Sequence, residues 1–127
     1  MRIAGFAAGA WQTNCWVVSS ARNSECIIID PGMDALAPLQ ELIARDSLKP
    51  VAVLVTHGHV DHMWSVFPVA DGYNIPAYVH SDDKDLLGNP YRALGPQGRA
   101  LVEQLGATFV EPSDVKILND KSVLDLA

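Results

Sequence analysis

Three short segments in the first thirty residues are rich in apolar side chains, at residues 3–8, 14–19 and 25–30. Turn-forming residues separate them, and this pattern predicts β-strands. Because the connections are short, the spacing predicts an antiparallel meander. Asp30, Pro31 and Gly32 end the third segment abruptly.

The pattern changes to helical spacing after this turn. The apolar residues that share one predicted helix face are Leu36, Leu39, Leu42 and Ile43. Asp34 is the candidate N-cap. Residues 51–55 are then entirely apolar, as expected for a central strand that is covered on both faces. A strand, a helix and an apolar strand in succession predict an α/β fold with a mixed sheet and flanking helices.

Weaker signals continue toward the end of the chain. We expect a strand at 77–80, a helical turn capped by Ser81 and a second amphipathic helix at 97–105. Three weak strands are expected at 108–110, 115–118 and 123–126, with residues 119–121 as a hairpin turn between the last two.

Composition narrows the class of protein. A chain of 127 residues with 49% hydrophobic residues is long enough for one folded domain. Its net charge of −6 argues against nucleic acid and against anionic membranes as partners. No apolar run approaches the length of a membrane span. Cys15 and Cys26 are too few for a disulfide framework, so we expect buried reduced thiols and a cytoplasmic protein.

One segment concentrates the chemistry. Residues 56–62 read THGHVDH, directly follow the apolar strand and contain three of the four histidines. His57 and His59 are two residues apart, so in an extended segment both rings point to the same side and can bind one Zn²⁺ at about 2.0–2.1 Å. Asp61 and His62, one turn later, are placed to reach a second metal. The alternative is an exposed histidine-rich loop, or a helix start capped by Asp61.

This segment resembles the HxHxDH signature of the metallo-β-lactamase superfamily, and more closely that of glyoxalase II-type (hydroxyacylglutathione hydrolase-like) proteins. Supporting sequences occur in family order: TNCW at 13–16, IDPG at 29–32 and AYVH at 77–80. The resemblance implies the first half of an αββα sandwich. It also implies that His57 and His59 bind the first metal and that Asp61 and His62 bind the second.

The resemblance further implies a role for two carboxylates. Asp61 would be the catalytic residue that orients the nucleophile, and Asp30 would support the site without binding metal. The alternative for Asp30 is a turn-forming residue before Pro31. The implied reaction is hydrolysis of a small-molecule thioester of the hydroxyacylglutathione type by metal-bound hydroxide. Zinc is the expected metal, and iron or manganese suit the same ligands. Lactonase and persulfide dioxygenase activities are alternatives on the same fold.

The sequence also departs from the family. The family's later metal ligands have no counterpart here, so we expect residues 1–127 to be a metallo-β-lactamase-like domain truncated after its first half. An alternative is therefore a non-catalytic or split half-domain that binds metal weakly or needs a complementing chain. The uncovered face would favour self-association. His80 is considered as a further ligand, but a surface position near a helix cap is favoured, and Trp64 is expected to pack in the core.

Overall fold

Six strands form one mixed sheet. The computed structural model describes residues 1–127, and the strands are β1 (Arg2–Ala8), β2 (Thr13–Ser19), β3 (Glu25–Ile29), β4 (Lys49–Leu54), β5 (Ala77–His80) and β6 (Val115–Leu118). Their order in the sheet follows their order in the chain. The first three strands are antiparallel, whereas β4, β5 and β6 each pair in parallel with the strand before. The predicted meander is confirmed, and so is the position of β4 inside the sheet. The predicted cover on both faces is incomplete, because Val51 and Leu54 remain partly exposed.

Helices connect the parallel strands. The α-helices are α1 (Leu36–Arg45), α2 (Val60–Met63), α3 (Val66–Tyr73) and α4 (Pro96–Gln104), and two 3₁₀ helices lie at Ser81–Leu87 and Pro90–Ala93. The crossover from β3 to β4 contains α1, and that from β4 to β5 contains α2 and α3, as parallel pairing requires. None of the helices combines the length and the hydrophobicity that crossing a membrane would require.

The core lies between the helices and one face of the sheet. Leu39 of α1, Val69 of α3, and Ile28 and Val53 of the sheet are completely buried. They belong to one apolar cluster of 20 residues, which makes each of them costly to truncate, by about 2–5 kcal/mol for a leucine. The opposite face is more open, since Ile3 and Trp16 are 59% and 41% exposed.

Two predicted caps are wrong. Asp34 does not cap α1, because the helix begins after Ala35 and Asp34 adopts a left-handed backbone conformation with φ of 61°. Ser81 does not cap the following helical turn either. The side chain of His80 accepts a hydrogen bond of 3.2 Å from the Asp82 N–H and provides the cap, because it directly precedes the turn.

Two of the weak strands are absent. Residues 108–110 form an irregular segment in which the Phe109 ring packs against Trp64, with ring centroids 5.1 Å apart. Residues 123–126 pair with no strand, so residues 119–121 do not close a hairpin. Both segments are apolar enough to resemble strands, but neither pairs with the open edge of β6, and the sheet ends at that strand.

Asp46 stabilises the corner where α1 ends. Its side chain is 2% exposed and lies within 3.3 Å of Arg2, 3.6 Å of Arg22 and 3.2 Å of Arg45. The hydrogen bond from Arg45, together with the charges of the three arginines, holds the pKa of this carboxyl below its ordinary value, although burial opposes the shift. A depressed pKa in the folded state means that the ionised carboxylate stabilises the fold.

We expect Asp46→Asn to lower the denaturation midpoint at pH 7. The difference from wild type should be fully present above the ordinary aspartate pKa of about 3.9 and should disappear as pH falls through the lower folded-state value. Urea denaturation between pH 2.5 and 7 measures this. The control is Asp125→Asn, at an exposed position, which should leave the denaturation midpoint unchanged. A difference between Asp46→Asn and wild type that does not depend on pH would contradict the stabilising role of the ionised Asp46 carboxylate.

Candidate metal centre

The candidate centre lies at the carboxyl ends of two neighbouring parallel strands, β3 and β4. Asp30 follows β3, and the segment 56–62 begins two residues after β4. The Asp30 N–H donates to the Leu54 carbonyl at 3.0 Å, so the two strand ends are joined directly. Asp30 has a φ of 52°, and aspartate is one of the few residue types that tolerate this left-handed conformation.

The Asp30 carboxylate is buried and accepts three hydrogen bonds. Its Oδ1 accepts from the Thr56 N–H at 2.7 Å, and its Oδ2 accepts from the Thr56 hydroxyl at 2.6 Å and from His62 Nδ1 at 2.9 Å. A carboxylate that is only 4% exposed needs such donors to replace its lost water. The structure thus places Asp30 in contact with a predicted ligand.

These hydrogen bonds determine which nitrogen carries the proton in two neutral histidines. An ionised carboxylate can only accept, so Nδ1 of His62 donates to Asp30. Thr56 uses its single hydroxyl hydrogen on Asp30, and the 2.9 Å contact of the same hydroxyl with His57 therefore requires His57 Nδ1 to donate. Nε2 keeps its lone pair in both rings, which is the form that binds a metal ion.

The four predicted ligands occupy one patch. The ring centroids of His57 and His59 are 4.7 Å apart, and those of His57 and His62 are 4.1 Å apart. Oδ2 of Asp61 lies 3.4 Å from His62 Nε2 and accepts a 3.0 Å hydrogen bond from the Thr13 hydroxyl. Each of the four retains some solvent exposure, so the patch is open to a ligand.

Helix α2 and two glycines set the shape of this patch. His59 is the extended residue before α2, and Asp61 and His62 lie within that single turn. A Cβ atom on Gly32 would lie 2.2 Å from the Asp61 carbonyl oxygen, so the loop after β3 can approach α2 this closely only without a side chain. A Cβ atom on Gly58 would similarly meet Leu86 at 2.6 Å.

The donor types fit a divalent transition metal, and their number is incomplete. Imidazole and carboxylate ligands suit zinc, iron and manganese. Asp30 leaves Nε2 of His57 and of His62 available, as described above. However, no group of three or more His, Cys, Asp or Glu side chains is arranged to hold one ion. Catalytic zinc normally takes three protein ligands, so this chain supplies only part of such a set.

Two further side chains support the centre and were missed from the sequence. Oδ2 of Asp83 accepts a 2.8 Å hydrogen bond from the Gly58 N–H, between the first two histidines. Thr13 donates to Asp61 from β2. A signal for Asp83 did exist, because it follows β5, the parallel neighbour of β4, and the ends of such strands meet at one edge of the sheet.

His80 and Trp64 lie outside the group of predicted ligands. The polar partners of His80 are Asp82 and Asp120, at 3.7 and 3.5 Å, and its side chain is 40% exposed. This matches the surface position near a cap that the sequence favoured. Trp64 is half-buried and packs on Trp11 and Phe109, with centroid distances of 5.7 and 5.1 Å.

Comparison with known proteins supports the resemblance to the metallo-β-lactamase superfamily over nearly the whole chain. The family model of the metallo-beta-lactamase superfamily matches residues 8–126. The chain is 42% identical over 127 residues to the uncharacterized protein ML0493 of Mycobacterium leprae, covering 99% of this chain and 57% of that protein. It is 30% identical over 115 residues to a hydroxyacylglutathione hydrolase of Pectobacterium atrosepticum, covering 87% of this chain and 37% of that enzyme.

Solved structures have the same fold. The crystal structure of BLEG-1 B3 metallo-beta-lactamase superposes with a TM-score of 0.79 at 33% identity, covering 98% of this chain and 56% of that one. TTHA1623, solved in a di-iron-bound form, superposes with a TM-score of 0.73 at 27% identity, covering 95% of this chain and 56% of that one. The chain therefore spans about half the length of the structures and of the M. leprae relative that it matches.

We expect Asp30→Asn to weaken zinc binding. An amide NH₂ group facing His62 donates to Nδ1 instead of accepting from it, which moves the ring proton to Nε2 and removes the lone pair from that atom. Changes of this kind next to metal ligands cost about 10–100-fold in affinity. Competition with a chromophoric chelator measures the zinc affinity of both proteins.

The matched control is Asp34→Asn. Asp34 shares the left-handed backbone conformation but is exposed, so it tests the effect of the substitution on the backbone alone. Circular dichroism checks that each variant remains folded. Equal zinc affinities for folded Asp30→Asn and wild type would refute the role of Asp30.

Proposed function

The chain belongs to the metallo-beta-lactamase superfamily, and from that premise we propose that it is a metal-dependent hydrolase of thioesters of the hydroxyacylglutathione type. One observation carries the proposal: the rings of His57, His59 and His62 and the carboxylate of Asp61 form one patch, in which Thr56 and Asp30 occupy Nδ1 of His57 and of His62 and leave the two Nε2 atoms for a metal. A purely structural histidine cluster would not require these atoms to be free.

His57 and His59 would hold a first metal ion, and Asp61 and His62 would hold a second. We propose zinc, with iron or manganese as alternatives, since the donor types suit all three and TTHA1623 was solved in a di-iron form. When bound, a divalent metal activates water near neutral pH and polarises the carbonyl oxygen of the substrate.

Asp61 would also take part in the reaction through its carboxylate. In thioester hydrolysis the oxygen of water bonds to the acyl carbon, the carbon–sulfur bond breaks, and a carboxylate and a thiol are released. The carboxylate of Asp61 is proposed to orient the attacking water and accept its proton. The hydrogen bond from Thr13 to Oδ2 holds that carboxylate in place, which limits the rotation it would otherwise have at the surface.

The substrate class is supported by one named relative. The Pectobacterium atrosepticum protein that matches 87% of this chain is a hydroxyacylglutathione hydrolase. The acidic net charge also favours a small-molecule substrate over a nucleic acid.

A second candidate function is a metal-binding half-domain that is not catalytic alone. The observation in its favour is that no three of the chain's ligand-type side chains surround one position. Such a site would hold its ions weakly, and the missing ligands would come from another segment or chain. Metal content and turnover separate the two candidates.

We further propose a reducing, cytoplasmic location. Cys15 and Cys26 are both free and buried. Burial raises the pKa of Cys15 to about 12, with a contribution from the charge of Asp30, and burial raises the pKa of Cys26 to about 11. Both groups are therefore protonated at neutral pH and unreactive. It is the two thiols left without a disulfide that suit a compartment that keeps cysteines reduced.

We expect the purified chain, loaded with zinc, to hydrolyse S-D-lactoylglutathione and to lose this activity in His59→Ala. Removing a direct ligand should lower zinc affinity by more than the 10–100-fold typical of residues beside the ligands. Loss of absorbance at 240 nm follows hydrolysis, and elemental mass spectrometry after gel filtration gives the metal content.

His80→Ala is the matched control, because it removes the one histidine outside the patch. It should keep both metal content and turnover. A zinc-loaded chain without turnover would reject the hydrolase, and loss of the zinc on gel filtration would favour the half-domain. Turnover that survives His59→Ala would show that the reaction does not use this centre.

A further inference from the structure

An open apolar cleft lies beside the candidate centre. It has a volume of about 450 Å³, and its lining residues are Trp11, Val60, Asp61, Leu94, Gly98, Leu101 and Val102. Asp61 is the only one of these that also belongs to the metal-binding patch. The cleft therefore borders Asp61, the residue whose carboxylate we place next to the reacting carbonyl.

The lining of the cleft is mostly apolar, with five hydrophobic residues among seven. Leu101 is 47% exposed and Trp11 is 37% exposed, whereas Val60 and Val102 are almost fully buried and form its floor. Large apolar groups that remain in water around a buried apolar floor are typical of a surface that a ligand covers. Gly98 lines the cleft without a side chain and so leaves room in it.

The charges near the cleft do not favour an ionic ligand. No Lys, Arg or His lines it, and its one charged side chain is the acidic Asp61. Arg99, next to Gly98 on α4, forms a 3.1 Å ion pair with Glu103 and stacks over the Tyr91 ring at 5.1 Å. The carboxylates of a glutathione moiety would thus find no cationic partner in the cleft.

We propose that the cleft binds the acyl side of the substrate and selects a hydrocarbon acyl chain over a short or hydroxylated one. The proposal rests on the proposed thioester hydrolysis: a hydroxyacyl thioester remains a substrate, but a thioester with a hydrocarbon acyl chain is the preferred one. When the carbonyl of the substrate lies near Asp61, its acyl chain extends into the apolar cleft. Each methylene group that enters the cleft is removed from water, which favours binding. The thiol side of the thioester lies outside the cleft.

Binding of thioethers tests the cleft without any turnover. S-hexylglutathione and S-methylglutathione have no carbonyl to hydrolyse, and isothermal titration calorimetry compares their affinities for the chain. We expect the hexyl compound to bind about tenfold more tightly or better. Leu101→Gln, a polar change at an exposed position, should remove most of this preference.

Two further variants keep the test decisive. Leu105→Gln is the matched control, since Leu105 is 46% exposed, lies one turn beyond Leu101 and does not line the cleft. Gly98→Leu should block the cleft, and an added Cβ there meets Leu94 only at ordinary contact distance, 3.4 Å. Equal binding of the two thioethers, or equal effects of Leu101→Gln and Leu105→Gln, would overturn the proposal.

Turnover separates this inference from the proposed function. We expect S-hexanoylglutathione to be hydrolysed with a higher kcat/KM than S-acetylglutathione or S-D-lactoylglutathione, and Leu101→Gln to reduce only the first value, roughly tenfold. Hydrolysis without any chain-length preference would overturn the inference and leave the function standing. A hexyl preference without hydrolysis of any thioester would support the apolar cleft and reject the function.

Discussion

The hydrogen bonds of the Asp30 carboxylate hold the candidate centre together. They connect the end of β3 to the backbone and side chain of Thr56 and to His62 in α2. The segment that contains the histidines is therefore fixed to the sheet near both of its ends. Because a buried carboxylate accepts and does not donate, these contacts orient the His62 ring directly and the His57 ring through the Thr56 hydroxyl, with Nδ1 of each ring as the donor.

Other strand ends support the centre from the remaining sides. Thr13 reaches Asp61 from the start of β2, and Asp83 holds the Gly58 N–H from the segment after β5. The centre thus rests on four neighbouring strands, β2 to β5, whose mutual positions are set by backbone hydrogen bonds. Ligands placed on such a frame need little reorganisation when a metal or substrate binds, which is the usual requirement of a functional site.

The candidate centre and the apolar cleft share the short helix α2. Val60 forms part of the floor of the cleft, and the next residue, Asp61, reaches both the cleft and the patch of histidines. A single helical turn therefore places a charged group and an apolar surface side by side. This arrangement can hold an uncharged group of a substrate while its polar carbonyl lies near the donors that act on it. This chain offers two side chains for each of the two proposed ions, fewer than the three protein ligands of a catalytic zinc, and the M. leprae relative is longer than this chain.

The sequence by itself determined the local features: the three-stranded meander, α1, the apolar strand β4 and the run of metal-binding side chains after it. Periodicity and residue type act over a few neighbours, so they can be read directly. Only the tertiary structure decided that residues 108–110 and 123–126 have no strand partner, that His80 caps a turn, and that Thr13 and Asp83 serve the centre. The roles of Thr13 and Asp83 depend on contacts over 48 and 25 residues, which form only when the strands bring their ends to one edge of the sheet. The His80 cap is a contact over two residues, which the sequence assigned to Ser81 instead.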